Sequence, residues 1–121
     1  MTLILVVEDD FDSREHLAAL LRSGGYEVAT AANGQEAQQW LVSTNALPSV
    51  ILLDLVMPVM DGWHFRWQQV QHREFAHIPV VVLSGEDDVQ EAATSLGAVG
   101  YLHKPFDPAS FLGTLQSTCP P

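Results

Sequence analysis

Leu3-Ile4-Leu5-Val6-Val7-Glu8-Asp9-Asp10 sets an unbroken apolar run directly against three acids. Five apolar residues in a row, without polar alternation, suit a β-strand covered on both faces. The pattern returns at Val50-Ile51-Leu52-Leu53, followed by Asp54, and at Pro79-Val80-Val81-Val82-Leu83, followed by Ser84. Between these runs apolar residues recur at helical spacing: Leu17, Leu20 and Leu21, then Ala37, Trp40 and Leu41, then Trp63, Trp67 and Val70. Buried strands separated by amphipathic helices imply a parallel sheet with helices packed on both faces.

Turn and cap residues supply the remaining boundaries. Asp12-Ser13 offers the first helix an N-cap and Gly24-Gly25 ends it. Tyr26 to Ala31 reads as a short strand, Asn33-Gly34 as a turn, and Gln35 to Ser43 as a helix. A loop from Asp54 to Gly62 precedes a helix over Trp63 to Glu74, with Trp63, Trp67 and Val70 as its inward stripe. Asp87 to Leu96 is a helix stopped by Gly97, Val99 to His103 a fifth strand, and Asp107 to Ser117 a last helix. Five strand–helix repeats in 121 residues leave room for one domain only, residues 1–121, with a core over 3–117 and a tail over 118–121. The expected fold is α/β: a doubly wound five-stranded parallel sheet, flavodoxin-like in its order 2-1-3-4-5, with five helices.

Composition narrows the function classes. Fifteen acids face five Lys and Arg, a net charge of -10, which repels nucleic-acid phosphates. Cys119 is the only cysteine, so no internal disulfide forms. No basic residue precedes the first apolar run, and no stretch reaches the roughly 20 apolar residues of a membrane helix. A cytoplasmic protein without membrane contact is the expectation.

In the 2-1-3-4-5 order, residues just after strands 1, 3, 4 and 5 converge on the sheet edge where such folds bind ligands. They are Glu8, Asp9 and Asp10; Asp54; Ser84 and Gly85; and Lys104, the only lysine in the chain. Two like charges ~4 Å apart cost about 4 kcal/mol at an effective dielectric near 20, so such acids invite a divalent cation. Only oxygen ligands stand at these strand ends, which favours a hard ion such as Mg2+. Lys104 adds a positive point charge, while Ser84 and the Gly85 N–H add neutral donors. That set suits a phosphoryl group in transfer, and Asp54, alone at the end of a central strand, is the natural nucleophile. Singly, each feature is ordinary: an acidic turn, a Lys-Pro loop, a Ser-Gly turn. Their expected convergence carries the chemistry.

Four stretches resemble the receiver domain of two-component response regulators. They are Ile4-Leu5-Val6-Val7-Glu8-Asp9-Asp10, Leu53-Asp54-Leu55-Val56-Met57-Pro58-Val59-Met60-Asp61-Gly62, Val82-Leu83-Ser84-Gly85, and Gly100-Tyr101-Leu102-His103-Lys104-Pro105-Phe106. The resemblance runs from Leu3 to Leu115. It implies that Asp54 accepts a phosphoryl group from a phosphohistidine on a sensor kinase or phosphotransfer protein. It implies Mg2+ held by Asp9, by Glu8 through water, by Asp54 and by the Val56 backbone carbonyl. Ser84 and Lys104 would bind the phosphoryl oxygens, Pro105 would follow a cis peptide bond, and Tyr101 would be the aromatic switch residue. Asp10 has no fixed family role. Phosphorylation would bias the face of helix 4, strand 5 and helix 5 toward a downstream effector, and Asp54 would lose its phosphoryl group by self-dephosphorylation.

Rival functions fit less well. An aspartate-nucleophile phosphatase needs a second Asp two residues after Asp54, where Val56 stands. A flavin binder needs a phosphate cradle where Glu8-Asp9-Asp10 would repel the phosphate. The remaining alternative is a docking module of the same fold that is never phosphorylated. Helices 4 and 5 carry no Lys or Arg for charged pairing across that face, so a monomer is expected. A kinase is expected to dock near His16, Leu17 and Leu20.

Overall fold

In the computed structural model, which describes residues 2–55, 60–85 and 87–121, the apolar runs pair as parallel strands in the order β2-β1-β3-β4-β5. These are β1 (Leu3–Val7), β2 (Glu27–Ala31), β3 (Val50–Asp54), β4 (Val80–Ser84) and β5 (Gly100–His103). The crossovers are α1 (Phe11–Ser23), α2 (Gly34–Ser43), α3 (Gly62–Gln69) and α4 (Val89–Leu96), with α5 (Pro108–Thr118) closing the chain. The fold expectation is met. No helix among the described residues is long and apolar enough to cross a membrane.

Successive side chains of a strand point to opposite faces, and here both faces are covered. Leu5, Val7, Ile51, Leu53, Val80 and Val82 pack with Ala37 and Leu41 of α2, Phe65 of α3, and Val89, Ala92 and Ala93 of α4. Ile4, Val6, Val50, Leu52, Val81 and Leu83 pack with Leu17 and Leu21 of α1 and with Phe111 and Leu115 of α5. Each inner strand feeds two cores, so its sequence is apolar without alternation. The two edge strands, β2 and β5, mix exposed and buried positions.

Caps shift several boundaries. The N-cap of α1 is Asp10, not the Asp12-Ser13 pair: its carboxylate accepts the Ser13 N–H at 2.8 Å. Asn33, read as part of a turn, caps α2 by accepting the Glu36 N–H at 2.8 Å. The carboxyl-terminal residues are tied to the body of the fold. The Tyr26 hydroxyl donates to the Cys119 carbonyl at 2.6 Å, and the Thr2 hydroxyl donates to the Pro120 carbonyl at 2.9 Å.

The expected inward stripe of the third helix is overturned. Trp63, Trp67 and Val70 are 45%, 63% and 45% exposed, whereas Phe65 and Gln69 are buried. The helix ends at Gln69 because that residue anchors the connection to β4. Its side-chain amide donates to the Phe75 carbonyl at 3.0 Å and the Ile78 carbonyl at 3.1 Å. A buried amide satisfied by backbone behaves as a core residue.

Candidate functional site

Strand register builds the site. Val7 lies opposite Leu53, so Glu8 and Asp54 leave adjacent strands side by side. Asp54 pairs with Leu83 and Ser84 with His103, bringing Ser84 and then Lys104 to the same edge. The Lys104 N–H donates to the Ser84 carbonyl at 2.8 Å, holding the ends of β4 and β5 together. The Lys104–Pro105 peptide is cis, as expected.

Glu8, Asp54 and Ser84 are buried, at 1%, 4% and 1% exposure, while Asp9 and Gly85 face solvent. One carboxylate oxygen from each of Glu8, Asp9 and Asp54 lies within 4.8 Å of the others. The Lys104 ammonium donates to Glu8 Oε2 at 3.0 Å and to Asp54 Oδ2 at 3.4 Å. Glu8 and Asp54 therefore share the Lys104 ammonium, with the Asp9 carboxylate beside them. Burial, then hydrogen bonding to Asp54, pushes the Glu8 carboxyl up to about 7 against the lowering effect of Lys104. Burial pulls the Lys104 ammonium down, but its bond to Glu8 and the charges of Asp54 and Glu8 outweigh this and raise it. The residues fit a hard divalent cation, because the donors are all carboxylate oxygens and their charge exceeds what Lys104 neutralises.

Gly62 lets α3 begin against the end of β3. Its N–H donates to the Leu55 carbonyl at 3.1 Å, and a Cβ there would lie 2.7 Å from Leu55 Cα and 2.8 Å from the Asp54 carbonyl oxygen. Arg14 was not foreseen at the site. Its guanidinium donates to the Glu8 carbonyl at 2.9 Å and the Asp9 carbonyl at 3.4 Å, and it sits 5.5 Å from the Phe11 ring centroid. The only sequence signal was an arginine one turn past Asp10.

The other named residues fall as follows. The Asp10 carboxylate serves as the α1 cap, and its N–H donates to Glu8 Oε1 at 3.3 Å. Tyr101 stands on β5, 41% exposed. Val56 lies outside the described residues. A cavity of about 390 Å3 opens beside Lys104, lined by Ser13, His16, Leu17, Lys104, Pro105 and Phe106.

Known proteins are similar to this chain in sequence and in fold. Residues 4–116 match the response regulator receiver domain family. The probable transcriptional regulator ycf27 of Pyropia yezoensis is 37% identical over 116 residues, covering 94% of this chain and 46% of its own. The phosphate regulon transcriptional regulatory protein PhoB of Pseudomonas aeruginosa is 32% identical, covering 94% and 50%. The chain spans about half the length of the curated relatives it matches. Among solved structures, chemotaxis protein CheY4 of Vibrio cholerae superposes with a TM-score of 0.87 at 33% identity, over 98% of both chains. TrrA of Thermotoga maritima, solved in complex with Mg(2+)-BeF, superposes with a TM-score of 0.84 at 27% identity, over 98% of this chain and 99% of its own. The chain belongs to the response regulator receiver domain family.

Proposed function

We propose that this chain is a phosphorylation switch whose acceptor is Asp54. One observation carries the proposal: Glu8, Asp9 and Asp54 present carboxylate oxygens within 4.8 Å of one another, and the sole lysine lies 3.0 Å from Glu8 and 3.4 Å from Asp54.

The donor is a phosphohistidine on a sensor histidine kinase or phosphotransfer protein. An Asp54 carboxylate oxygen attacks phosphorus, the phosphorus–nitrogen bond breaks, and the imidazole leaves with the electron pair and takes up a proton. Glu8, Asp9 and Asp54 would hold Mg2+, which when bound supplies positive charge to the phosphoryl oxygens; the Mg(2+)-BeF complex of TrrA supports that cation. Lys104 neutralises part of the roughly -1.5 to -2 charges the phosphoryl group adds. The Ser84 hydroxyl and the Gly85 N–H donate to its oxygens. Hydrolysis of the acyl phosphate by water then resets the switch.

Output follows from the same contacts. Ser84 ends β4 and Lys104 follows β5, so recruiting both shifts the loops that lead into α4 and α5. Tyr101, exposed on β5, turns inward and changes the α4-β5-α5 face offered to an effector. The cavity between α1 and Pro105 seats the phosphodonor protein beside Lys104.

Incubation with a small phosphodonor and Mg2+ tests the proposal by intact mass. One acid-labile phosphoryl group is expected on the native chain and none on Asp54→Asn. Undiminished labelling of Asp54→Asn moves the acceptor elsewhere, and no labelling of either leaves the unphosphorylated docking module.

A further inference from the structure

We infer that Arg14 is a positioning residue for the acidic pocket: by bonding the backbone on both sides of Asp9 it fixes the Asp9 carboxylate, and so sets the affinity for a divalent cation. The inference rests on the proposed Mg2+ at Glu8, Asp9 and Asp54.

Two of those three carboxylates are anchored through their side chains. Glu8 and Asp54 are buried and accept from the Lys104 ammonium. Asp9 is exposed, and no hydrogen bond reaches its carboxylate among the described residues. Its direction therefore depends on its backbone. A peptide group is planar, so a bond to its carbonyl orients the whole plane. The Glu8 carbonyl lies in the plane that enters Asp9, and the Asp9 carbonyl in the plane that leaves it. One nitrogen of the Arg14 guanidinium donates to the first at 2.9 Å and to the second at 3.4 Å. The Asp10 N–H, in that second plane, donates to Glu8 Oε1 at 3.3 Å. Both backbone dihedrals of Asp9 are thereby restrained, and its Cβ with them.

Arg14 is itself well placed for this. Its N–H donates to the Asp10 carbonyl at 2.9 Å in the first turn of α1, and its guanidinium carbon lies 5.5 Å from the Phe11 ring centroid. In a chain of fifteen acids it forms no ion pair among the described residues, and its guanidinium is turned to carbonyls instead. Groups that orient metal ligands without touching the metal change its affinity by about 10–100-fold when removed. Charge alone acts with the opposite sign. A guanidinium beside a divalent cation repels it, so removing Arg14 would tighten binding if charge were its contribution.

The test measures the Mg2+ Kd of the full chain from backbone amide resonances of residues 8–10. Arg14→Gln should weaken binding about tenfold. Arg14→Lys, which keeps the charge but not the planar head, should fall between Arg14→Gln and the native chain. Arg22→Gln removes the same charge from an exposed site at the far end of α1 and should bind like the native chain. Without Mg2+, amide exchange at Asp9 and Asp10 should quicken in Arg14→Gln. The Mg2+ concentration for half-maximal labelling by a small phosphodonor should rise in step with Kd, with the maximal rate falling far less. Unchanged or tighter Mg2+ binding by Arg14→Gln overturns the inference, and the same result in Arg14→Lys does so if Arg14→Gln does not fold. Equal weakening in Arg22→Gln overturns it too. A native chain that binds no Mg2+ removes the proposed cation pocket as well, which separates that failure from the failure of Arg14 alone.

Discussion

Glu8 and Asp54 share the Lys104 ammonium while Asp9 sets a third carboxylate beside theirs, and that excess of acid governs the chemistry of the sheet edge. Asp54 and Lys104 could be placed together from sequence because parallel strands fix where their ends fall. Arg14 could not, because its partners are backbone carbonyls of the β1–α1 turn, and no side-chain pattern records them. The aspartate caps are a second use of acid in this chain, and their charge has a testable consequence. The N–H and hydroxyl of Ser110 hold the Asp107 carboxyl below its ordinary value of 3.8. A depressed carboxyl contributes stability above its unfolded value and loses it as pH falls through the lower folded value. Native chain should therefore melt above Asp107→Asn at about pH 6, with the gap closing as pH falls below the ordinary carboxylate value of 3.8. Thermal melts across that range check it; a constant gap would show that the charge of Asp107 contributes nothing.

At the scale of elements, helical periodicity offered α3 two faces and polarity chose the wrong one. Trp63, Trp67 and Val70 share a stripe, and so do Phe65 and Gln69, but a glutamine reads as surface until its backbone partners are known. Those partners, the carbonyls of Phe75 and Ile78, lie in an irregular connection that no periodicity describes. The inner strands had no such ambiguity, because unbroken apolar runs admit only burial on both faces. Replacing Gln69 with Leu should cost about 1–3 kcal/mol, as two buried carbonyls lose their donor. Trp67→Ser should stay within about 0.5 kcal/mol. Urea unfolding of both variants decides between the two faces: a larger loss from Trp67→Ser would restore the inward stripe.

For the whole molecule, order 2-1-3-4-5 was legible because five alternating repeats leave few topologies, and the ligand edge followed from it. The partner surfaces were not legible, because exposure of a face depends on packing against neighbours. If the acidic pocket takes a divalent cation in the native state alone, Mg2+ at 100 times its Kd adds about 2.7 kcal/mol of stability. The melting temperature should rise by several degrees with Mg2+, and by less in Asp9→Asn. An unchanged melt at saturating Mg2+ would remove the cation from the pocket.

The decisive measurement locates the phosphoryl group. Borohydride reduces an acyl phosphate to the alcohol, so a chain treated with small phosphodonor and Mg2+, reduced and digested, should yield homoserine at position 54. Homoserine at Asp9 or Asp10, or unmodified aspartate throughout, would contradict Asp54 as the acceptor.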